Sequence, residues 1–386
     1  VVFFISPYIA DFYDSQILCS TLRVLAIRIP IAAINSIQQA YVSKKMMFRK
    51  FFFSTLFGTL VSGCIGIIMA YYGYGVWALV AQYLINTTVN TGVLWFTVKW
   101  RPKVVFSWNK VSTIVSYGWK LLVSSLLDTG YNQLRSLVIG KRYSSNDLAY
   151  YNRGVQYPQL IVININTSIS SVLFPAISEH QNELDIVKNM TRRAIKTSSF
   201  IMWPLMIGLS VIAKPLVELM LTEVWLPCVP YLQIACITYA FWPIHTANLE
   251  ALKAIGRSDI FLRLEIIKKI IGIALLILSI NYGVLAIAVS MFISNTISTF
   301  INAYPNQVLL KYSYLDQIKD ISSSLILSFI MGLVIYPFSF IISNQILLIV
   351  TQVVLGFLFY ILIARVLKIE ALVYLLNFIK ERGKLK

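Results

Sequence analysis

Charged residues are scarce in this sequence. Of its 386 residues, 13% are Asp, Glu, Lys or Arg, whereas 58% are hydrophobic, and the mean hydropathy is +0.74. A soluble core does not need so large an apolar share, but a chain dissolved in lipid does. Apolar runs of about 20 residues, enough to cross ~30 Å of hydrocarbon, recur along the chain. The sequence therefore predicts an all-α fold, as a polytopic membrane protein.

The chain also has few residues suited to metal or redox chemistry. Its four cysteines form no CxxC pair, and its two histidines do not cluster. The cysteines are therefore predicted to be packing residues. The sequence shows no metal-ligand spacing, no nucleotide-binding loop and no nucleophile–base pattern, and no gap is long enough for an enzymatic domain. We therefore expect neither an enzyme nor a bound cofactor.

Acidic residues are outnumbered by basic ones, 16 to 33, which gives a net charge of +17. Such an excess can indicate nucleic-acid binding, but here its placement argues against that. Most of the Lys and Arg fall in alternate gaps between apolar runs and in the C-terminal tail, which is the positive-inside pattern. We therefore expect no nucleic-acid partner, and a C-terminus in the cytoplasm.

The apolar runs predict eleven full spans after a short apolar stub at the start. The predicted spans are 17–41, 51–71, 75–98, 111–139, 154–178, 197–221, 228–252, 264–281, 283–305, 321–342 and 346–367. The stub VVFFISPYIA is too short to cross a bilayer. We therefore expect it to be the end of a helix that begins before Val1.

An ungapped shift of 208 residues brings related positions together. It places Pro7 on Pro215, and the run Tyr74–Ala78 on Tyr282–Ala286. The shift maps helices onto helices of the same orientation, so it predicts a parallel repeat of six helices. We expect two such lobes around a central cavity plus a C-terminal helix pair, with roughly two and a half helices preceding Val1. The predicted parts are the remainder of the N-terminal lobe (1–98), the C-terminal lobe (111–305), the helix pair (321–367) and a cytoplasmic tail (368–386).

Three predicted helices carry polar stripes at helical spacing, where residues at i, i+4 and i+7 share a face. The residues that we assign to substrate binding are Arg28, Asn35 and Gln39 on the first helix, Asp128, Asn132 and Arg135 on the second, and Asn164 on the third. A charge at bilayer depth costs roughly 2.5–3.5 kcal/mol, so three such stripes should face one another or water.

Two interpretations of the second stripe remain open. Asp128 and Arg135 are two turns apart and could form a structural ion pair within the bundle. Alternatively, the stripes line one water-filled cavity, which Arg28 on another helix favours. Because the spans supply few acidic residues, that cavity would be net cationic and suited to an anionic cargo, since Arg binds phosphate through a bidentate fork.

Two further charged or titratable positions have structural and functional interpretations. Lys214 and Glu218, at i and i+4 near a helix end, fit a snorkelling pair better than a site. His245 fits a buried structural histidine better than a proton-coupling group.

Four stretches resemble the Wzx-type polysaccharide flippases of the multidrug/oligosaccharidyl-lipid/polysaccharide exporter superfamily. They are IGKRYSSNDLAYYNRGVQYP (139–158), VLFPAISEHQNE (172–183), LVELMLTEVWLPCVPYLQI (216–234) and KAIGRSDI (253–260). The resemblance implies a multi-pass protein of the bacterial inner membrane. It also implies alternating-access transport of a polyprenyl-diphosphate-linked oligosaccharide to the outer leaflet, for surface polysaccharide biosynthesis.

The resemblance leaves the coupling open between no ion, a proton and sodium. Expected partners are the lipid-linked oligosaccharide, membrane lipid and other polysaccharide-assembly proteins. The alternative function is a cation-coupled drug exporter of the same superfamily, which would favour an acidic cavity. A membrane-embedded polymerase would need a larger outer loop, and a purely structural scaffold would not need polar stripes.

Overall fold

The computed structural model describes residues 2–45, 47–102 and 107–384. Within these ranges, every regular secondary-structure element is an α-helix or a 3-10 helix. The predicted all-α class is thus confirmed. Part of the predicted gap at 99–110 lies outside the described residues. The chain divides into two units, residues 1–127 and 128–386.

The first unit contains five complete helices and the start of a sixth. They are α1 (Val2–Phe12), α2 (Gln16–Ala26), α3 (Arg28–Lys44), α4 (Phe48–Tyr71), α5 (Val76–Thr97) and the beginning of α6 (Trp108–Arg142).

The second unit contains the rest of α6 and eleven further α-helices. They are α7 (Ser145–Glu179), α8 (Leu184–Val211), α9 (Ala213–Leu221), α10 (Val229–Ala240), α11 (Trp242–Ala254), α12 (Ser258–Ser279), α13 (Val284–Leu310), α14 (Tyr314–Ile335), α15 (Phe338–Ile341), α16 (Gln345–Val366) and α17 (Glu370–Lys384).

Each of the eleven predicted spans is helical in the structure. In the described part of the chain, eight helical segments are long and apolar enough to cross a membrane. The predicted multi-pass membrane protein is therefore confirmed. Spans predicted at 75–98, 111–139 and 264–281 correspond to α5, α6 and α12, which are helical but not among those eight. Polar and charged side chains on these helices explain the difference, and two of them line the cavity described below.

The first unit is held together by a stripe of small residues on α4. Ser54, Gly58, Ser62 and Gly66 are buried at intervals of four, so they share one face. A Cβ on Gly58 would lie 3.2 Å from the carbonyl oxygen of Asn86 on α5. The two backbones therefore approach closely, as small-residue stripes permit in membrane helices.

Proline and glycine set two features of the helix ends. Pro30 has no amide hydrogen to bond the carbonyl of Ala26, and the helix predicted at 17–41 is divided at Ile27 into α2 and α3.

Gly75 and Gly283, which the 208-residue shift superposes, precede α5 and α13 with φ of 50° and 96°. Both therefore occupy backbone conformations that only glycine adopts readily. The division into lobes stays a prediction.

In the second unit, α7 and α10 meet at Gly154. A Cβ added there would lie 2.7 Å from the carbonyl oxygen of Cys228 and 2.8 Å from Cβ of Tyr231. The main core of this unit surrounds the fully buried Trp203 of α8, against α10, α14 and α16. This close packing holds α7 and α10 in position to line a cavity.

One predicted helix boundary and one predicted burial were wrong. The span predicted to begin at 197 starts at Leu184, because the charged turns around Arg192 and Lys196 continue the helix instead of forming a gap. Cys64, predicted to be a packing residue, is exposed on α4, whereas Cys228 and Cys236 are buried as expected.

Candidate functional site

A cavity of about 770 Å³ lies within the second unit. Six helices supply its walls, namely α6, α7, α10, α11, α12 and α13. The predicted residues Asp128, Asn132 and Arg135 all line it from α6, together with Gln133 and Tyr131. The polar stripe noticed in the sequence is thus the wall of a cavity.

Asp128 is paired with a lysine from another helix. Its Oδ1 lies 2.7 Å from Nζ of Lys269 on α12, and the same ammonium lies 5.6 Å from the centre of the Tyr131 ring. Asp128 therefore pairs with Lys269 of α12 and not with Arg135, the partner that the sequence had left as one of two possibilities. Lys269 was not predicted as a site residue.

The other carboxylate of the cavity is paired in the same way. Glu265 contacts Lys268 one turn along α12, with 2.5 Å between Oε1 and Nζ. Both residues line the cavity. Each acidic side chain of this wall thus has its own lysine, and α12 contributes three of the four charged groups involved.

Arg135 is the cation that these pairs leave over. The lining contains three cationic residues, Arg135, Lys268 and Lys269, against two carboxylates. Arg135 is half-buried, and its Nε is buried without a hydrogen-bond partner among the described residues. Leaving such a donor unpaired costs about 1–3 kcal/mol, so this N–H is suited to donate a hydrogen bond to an acceptor on a ligand. The cavity is net cationic, as expected.

Neutral polar groups line the part of the wall formed by α11 and α13. His245 is buried, with Nδ1 2.8 Å from Asn302 Nδ2 and Nε2 3.2 Å from Thr299 Oγ1. The predicted burial of His245 is confirmed, whereas its structural role, as opposed to proton coupling, stays a prediction. The Oδ1 of Asn302 is buried without a partner in the described part of the chain, so it remains free to accept.

The sequence prediction did not include the polar stripe of α13. Ser294, Asn295, Ser298 and Asn302 all line the cavity from this helix. Their spacing within SNTISTFIN follows the same i, i+4 pattern that identified α6. That spacing could have found them from sequence.

The three predicted residues of α3 lie in the first unit, and two of them, Arg28 and Asn35, contact α5. The Nε of Arg28 donates to Thr87 Oγ1 at 2.8 Å, and its guanidinium lies 5.4 Å from the centre of the Tyr83 ring. Asn35 is buried, and its Nδ2 lies 3.5 Å from Oδ1 of Asn90. Gln39 is half-buried on the same helix. The role of these three residues in substrate binding stays a prediction.

The structure does not place Asn164 in the cavity wall. It is exposed on α7, and its amide donates to the carbonyl of Leu160 at 2.8 Å. The cavity face of α7 carries Gln159 and Asn166 instead. The position predicted from the stripe therefore lies on a different side of α7 from the cavity. Asn164 can face away from the cavity because its amide bonds a carbonyl of its own helix.

Two other observations bear on the predictions. Lys214 lies 3.9 Å from Glu218, which also accepts a hydrogen bond from Gln345 at 2.8 Å, so the predicted local pair is confirmed. Within the described residues, no group of three or more His, Cys, Asp or Glu is arranged to hold a metal ion.

The fold is similar to that of a solved flippase structure. "Lipid II flippase MurJ, inward closed conformation" superposes with a TM-score of 0.78, covering 95% of this chain and 79% of that chain at 18% identity. At this identity, the likeness shows the fold alone.

Curated relatives have similar sequences over part of their length. "Teichuronic acid biosynthesis protein TuaB" of Bacillus subtilis (strain 168) is 26% identical over 66% of this chain and 53% of its own length. "Lipopolysaccharide biosynthesis protein WzxC" of Escherichia coli (strain K12) is 20% identical over 78% of this chain and 62% of its own. "Succinoglycan biosynthesis transport protein ExoT" of Rhizobium meliloti (strain 1021) is 20% identical over 62% and 48%. The chain thus spans about half the length of the curated relatives it matches.

A family match covers more than half of the chain. Residues 1–230 match the family described as "Polysaccharide biosynthesis protein". This range includes the α6 wall of the cavity and two of the four stretches that carry the resemblance noted in the sequence. Since the match joins these features to an all-helical membrane fold, the chain belongs to the polysaccharide biosynthesis protein family.

Proposed function

We propose that this protein is a transporter that flips a polyprenyl-diphosphate-linked oligosaccharide across the bacterial inner membrane. The cargo moves from the cytoplasmic to the outer leaflet for surface polysaccharide biosynthesis. The observation that carries the proposal is the half-buried Arg135, whose Nε has no partner among the described residues. It lies in a polar cavity whose carboxylates are already paired with lysines.

The cargo poses a solvation problem that such a cavity solves. A diphosphate and a sugar chain cannot cross hydrocarbon unaided, because their polar groups would lose hydration without compensation. A polar chamber of about 770 Å³ provides replacement partners. The polyprenyl chain needs no such shelter and can remain in the bilayer.

The lining residues divide into two roles. Arg135, supported by Lys268 and Lys269, binds the diphosphate through charge-assisted hydrogen bonds. Asn132 and Asn302, with other neutral lining groups, bind sugar hydroxyls. Asn302 suits this role because its buried Oδ1 is without a described partner.

Transport proceeds by alternating access between two lobes, and the proposal keeps Arg28, Asn35 and Gln39 of the first unit as substrate-binding residues. The basic gaps of the sequence support a cytoplasmic C-terminus in this proposal. An interior-negative membrane potential then favours outward movement of an anion by ~2.3 kcal/mol per charge per 100 mV. A proton or sodium ion remains a candidate for coupling.

The printed names of relatives support this cargo class. One relative is described as a transport protein for succinoglycan biosynthesis, and others as proteins of teichuronic acid and lipopolysaccharide biosynthesis. The rival drug exporter would favour an acidic cavity. Here cations outnumber carboxylates, three to two, so the cavity gives that rival no support.

The proposal is tested by glycan export in the native bacterium. Arg135→Ala should abolish surface glycan and cause lipid-linked oligosaccharide to accumulate, while the protein still inserts in the membrane. Arg142→Ala is the matched control, because Arg142 lies on the same helix but does not line the cavity. Normal export by a well-expressed Arg135→Ala protein would remove Arg135 from the mechanism.

A further inference from the structure

A second cavity in the second unit combines lysines with an aliphatic floor. It has a volume of about 660 Å³ and lies between α14 and α16, closed at one end by α8 and α17. It shares no lining residue with the cavity that contains Arg135. The proposed transport mechanism does not use it. We name it the α14–α16 trough.

The trough is polar at one end and apolar at the other. Its polar end carries three lysines, Lys196, Lys319 and Lys368, against two carboxylates, Asp320 and Glu370, so its net charge is +1. Its wall continues through Ile326 and Ile330 of α14. From Lys319 to Ile330 the helix advances about 16 Å at 1.5 Å per residue. That is close to half of a ~30 Å hydrocarbon core, the depth of one leaflet.

Among the residues that the structure describes, two of the three lysines have no ion-pair partner. Lys196 is held by Asp320, at 3.0 Å, and by Glu370. Lys319 and Lys368 are exposed, and neither forms an ion pair with any residue that the structure describes. The polar end therefore presents two ammonium groups that form no ion pair within the described part of the chain, next to an apolar floor.

Lys368 lies two residues beyond the end of α16 and lines the trough. Its φ is 50°, in the left-handed region. The amide of Ile369 donates to the carbonyl of Ala364 at 3.0 Å, so this conformation is that of an ordinary helix C-terminus. The helix end therefore fixes the backbone from which the Lys368 side chain extends.

We propose that the α14–α16 trough binds an anionic phospholipid of the cytoplasmic leaflet. The phosphate would lie between Lys319 and Lys368, and one acyl chain would follow the floor past Ile330. The charge sign and the one-leaflet depth both fit this occupant. With the cytoplasmic C-terminus of the proposed function, on which this step rests, the polar end lies at the cytoplasmic surface, where anionic lipid headgroups lie. This site is independent of the proposed cargo cavity.

The test measures lipid binding to the purified protein by native mass spectrometry, comparing phosphatidylglycerol with phosphatidylcholine. We expect preferential retention of phosphatidylglycerol. Lys319→Gln/Lys368→Gln should weaken it roughly 10- to 30-fold, as expected for two lysines at an anionic lipid surface. The control Lys44→Gln/Lys45→Gln removes the same charge from α3 and should leave retention unchanged.

A second pair of variants tests the apolar floor. Ile330→Trp should fill the trough and reduce phosphatidylglycerol retention, whereas Leu333→Trp, on the same helix but outside the lining, should not. Both positions are exposed, so these variants should fold.

Competition identifies the occupant. Millimolar inorganic phosphate and polyprenyl phosphate should both leave phosphatidylglycerol bound. Three results would overturn the proposal: no preference for phosphatidylglycerol, equal losses in both double-lysine variants, or displacement by either competitor. Displacement by inorganic phosphate would indicate a free-anion site, and displacement by polyprenyl phosphate would assign the trough to the cargo.

Discussion

Asp128 on α6 and Lys269 on α12 form an ion pair, with 2.7 Å between Oδ1 and Nζ, at the edge of a cavity that also contains Arg135. The pair joins two helices and neutralises one of the two carboxylates that line this cavity. Its side chains are 61% and 33% exposed, so it contributes little to stability, about 0–1 kcal/mol. Its main effect is on the charge that a ligand meets.

Changing either partner should therefore alter ligand affinity more than stability. Asp128→Asn raises the net charge of the lining from +1 to +2, and Lys269→Gln lowers it to zero. We expect the affinity for a diphosphate-linked sugar lipid to rise a few-fold in the first variant and fall a few-fold in the second. Titration at two salt concentrations checks this, since the differences should shrink at high salt. Equal affinities in both variants would show that the pair is only structural.

Gly154→Ala should destabilise the protein. The new methyl group would overlap the carbonyl oxygen of Cys228, at 2.7 Å, and backbone atoms cannot move aside cheaply. We expect a loss of about 1–3 kcal/mol, measured as a lower unfolding temperature in detergent. Gly92→Ala on α5 is the control, because its Cβ would meet nothing within 4 Å. That control should be neutral or stabilising by up to ~1 kcal/mol, since alanine is the better helix former. Equal effects from the two substitutions would contradict the close approach of α7 and α10.

Asp320→Asn should also be destabilising. The Asp320 carboxylate accepts from Arg192 at 2.7 and 2.9 Å and from the Tyr312 hydroxyl at 2.8 Å, and it lies 3.0 Å from Lys196. Its side chain is only 8% exposed, whereas Arg192 is 45% exposed, so solvent screens part of the loss. We expect about 1–3 kcal/mol by chemical denaturation. Asp185→Asn, at an exposed helix start, should change little. A neutral Asp320→Asn would mean that this cluster does not fix α8 to α14.

The amide cluster of α11, α13 and α14 provides a further stability test. Asn248 donates to Gln317 at 2.8 Å and accepts from Asn306 at 2.6 Å, and all three side chains are fully buried. Gln317→Leu removes one member and leaves buried amide groups of Asn248 with fewer partners. We expect a loss of about 1–3 kcal/mol. An unchanged unfolding temperature would show that other groups replace the missing bonds.

The sequence allowed the helices and the α6 wall to be predicted for a simple reason. Long apolar runs specify spans, and the rare polar residues on them reveal the face that avoids lipid, as with Asn132 and Arg135. Lys268 and Lys269 were missed because charges near the start of a span equally fit an interfacial position. Only the packing of α12 against α6 distinguishes the two cases.

Asn164 shows the limit of polar stripes built from small side chains. Asn, Ser and Thr can satisfy themselves on the carbonyls of their own helix, as Asn164 and Ser168 do. Such a stripe need not face a cavity. Charged residues are better guides, because a charge facing hydrocarbon costs more than a neutral polar group does.

The start of α8 was predicted wrongly for a related reason. A hydropathy pattern ends where charge begins, but a helix can continue past the hydrocarbon when its charges find partners. Arg192 and Lys196 do so at Asp320 of α14. Helix α8 therefore begins 13 residues before the start that the apolar pattern predicts, at Leu184 instead of residue 197.

The most direct measurement is the affinity of the purified protein for a polyprenyl-diphosphate sugar, compared between the unaltered chain, Arg135→Gln and Arg142→Gln. If Arg135 binds the diphosphate, Arg135→Gln should lose roughly 1.5–3 kcal/mol, about 10- to 100-fold, as for a hydrogen bond to a charged group. Arg142→Gln should bind like the unaltered protein, and a polyprenol without phosphate should bind both variants equally. Unchanged diphosphate affinity in a folded Arg135→Gln protein would contradict the claim that this cavity recognises the anionic head of the cargo.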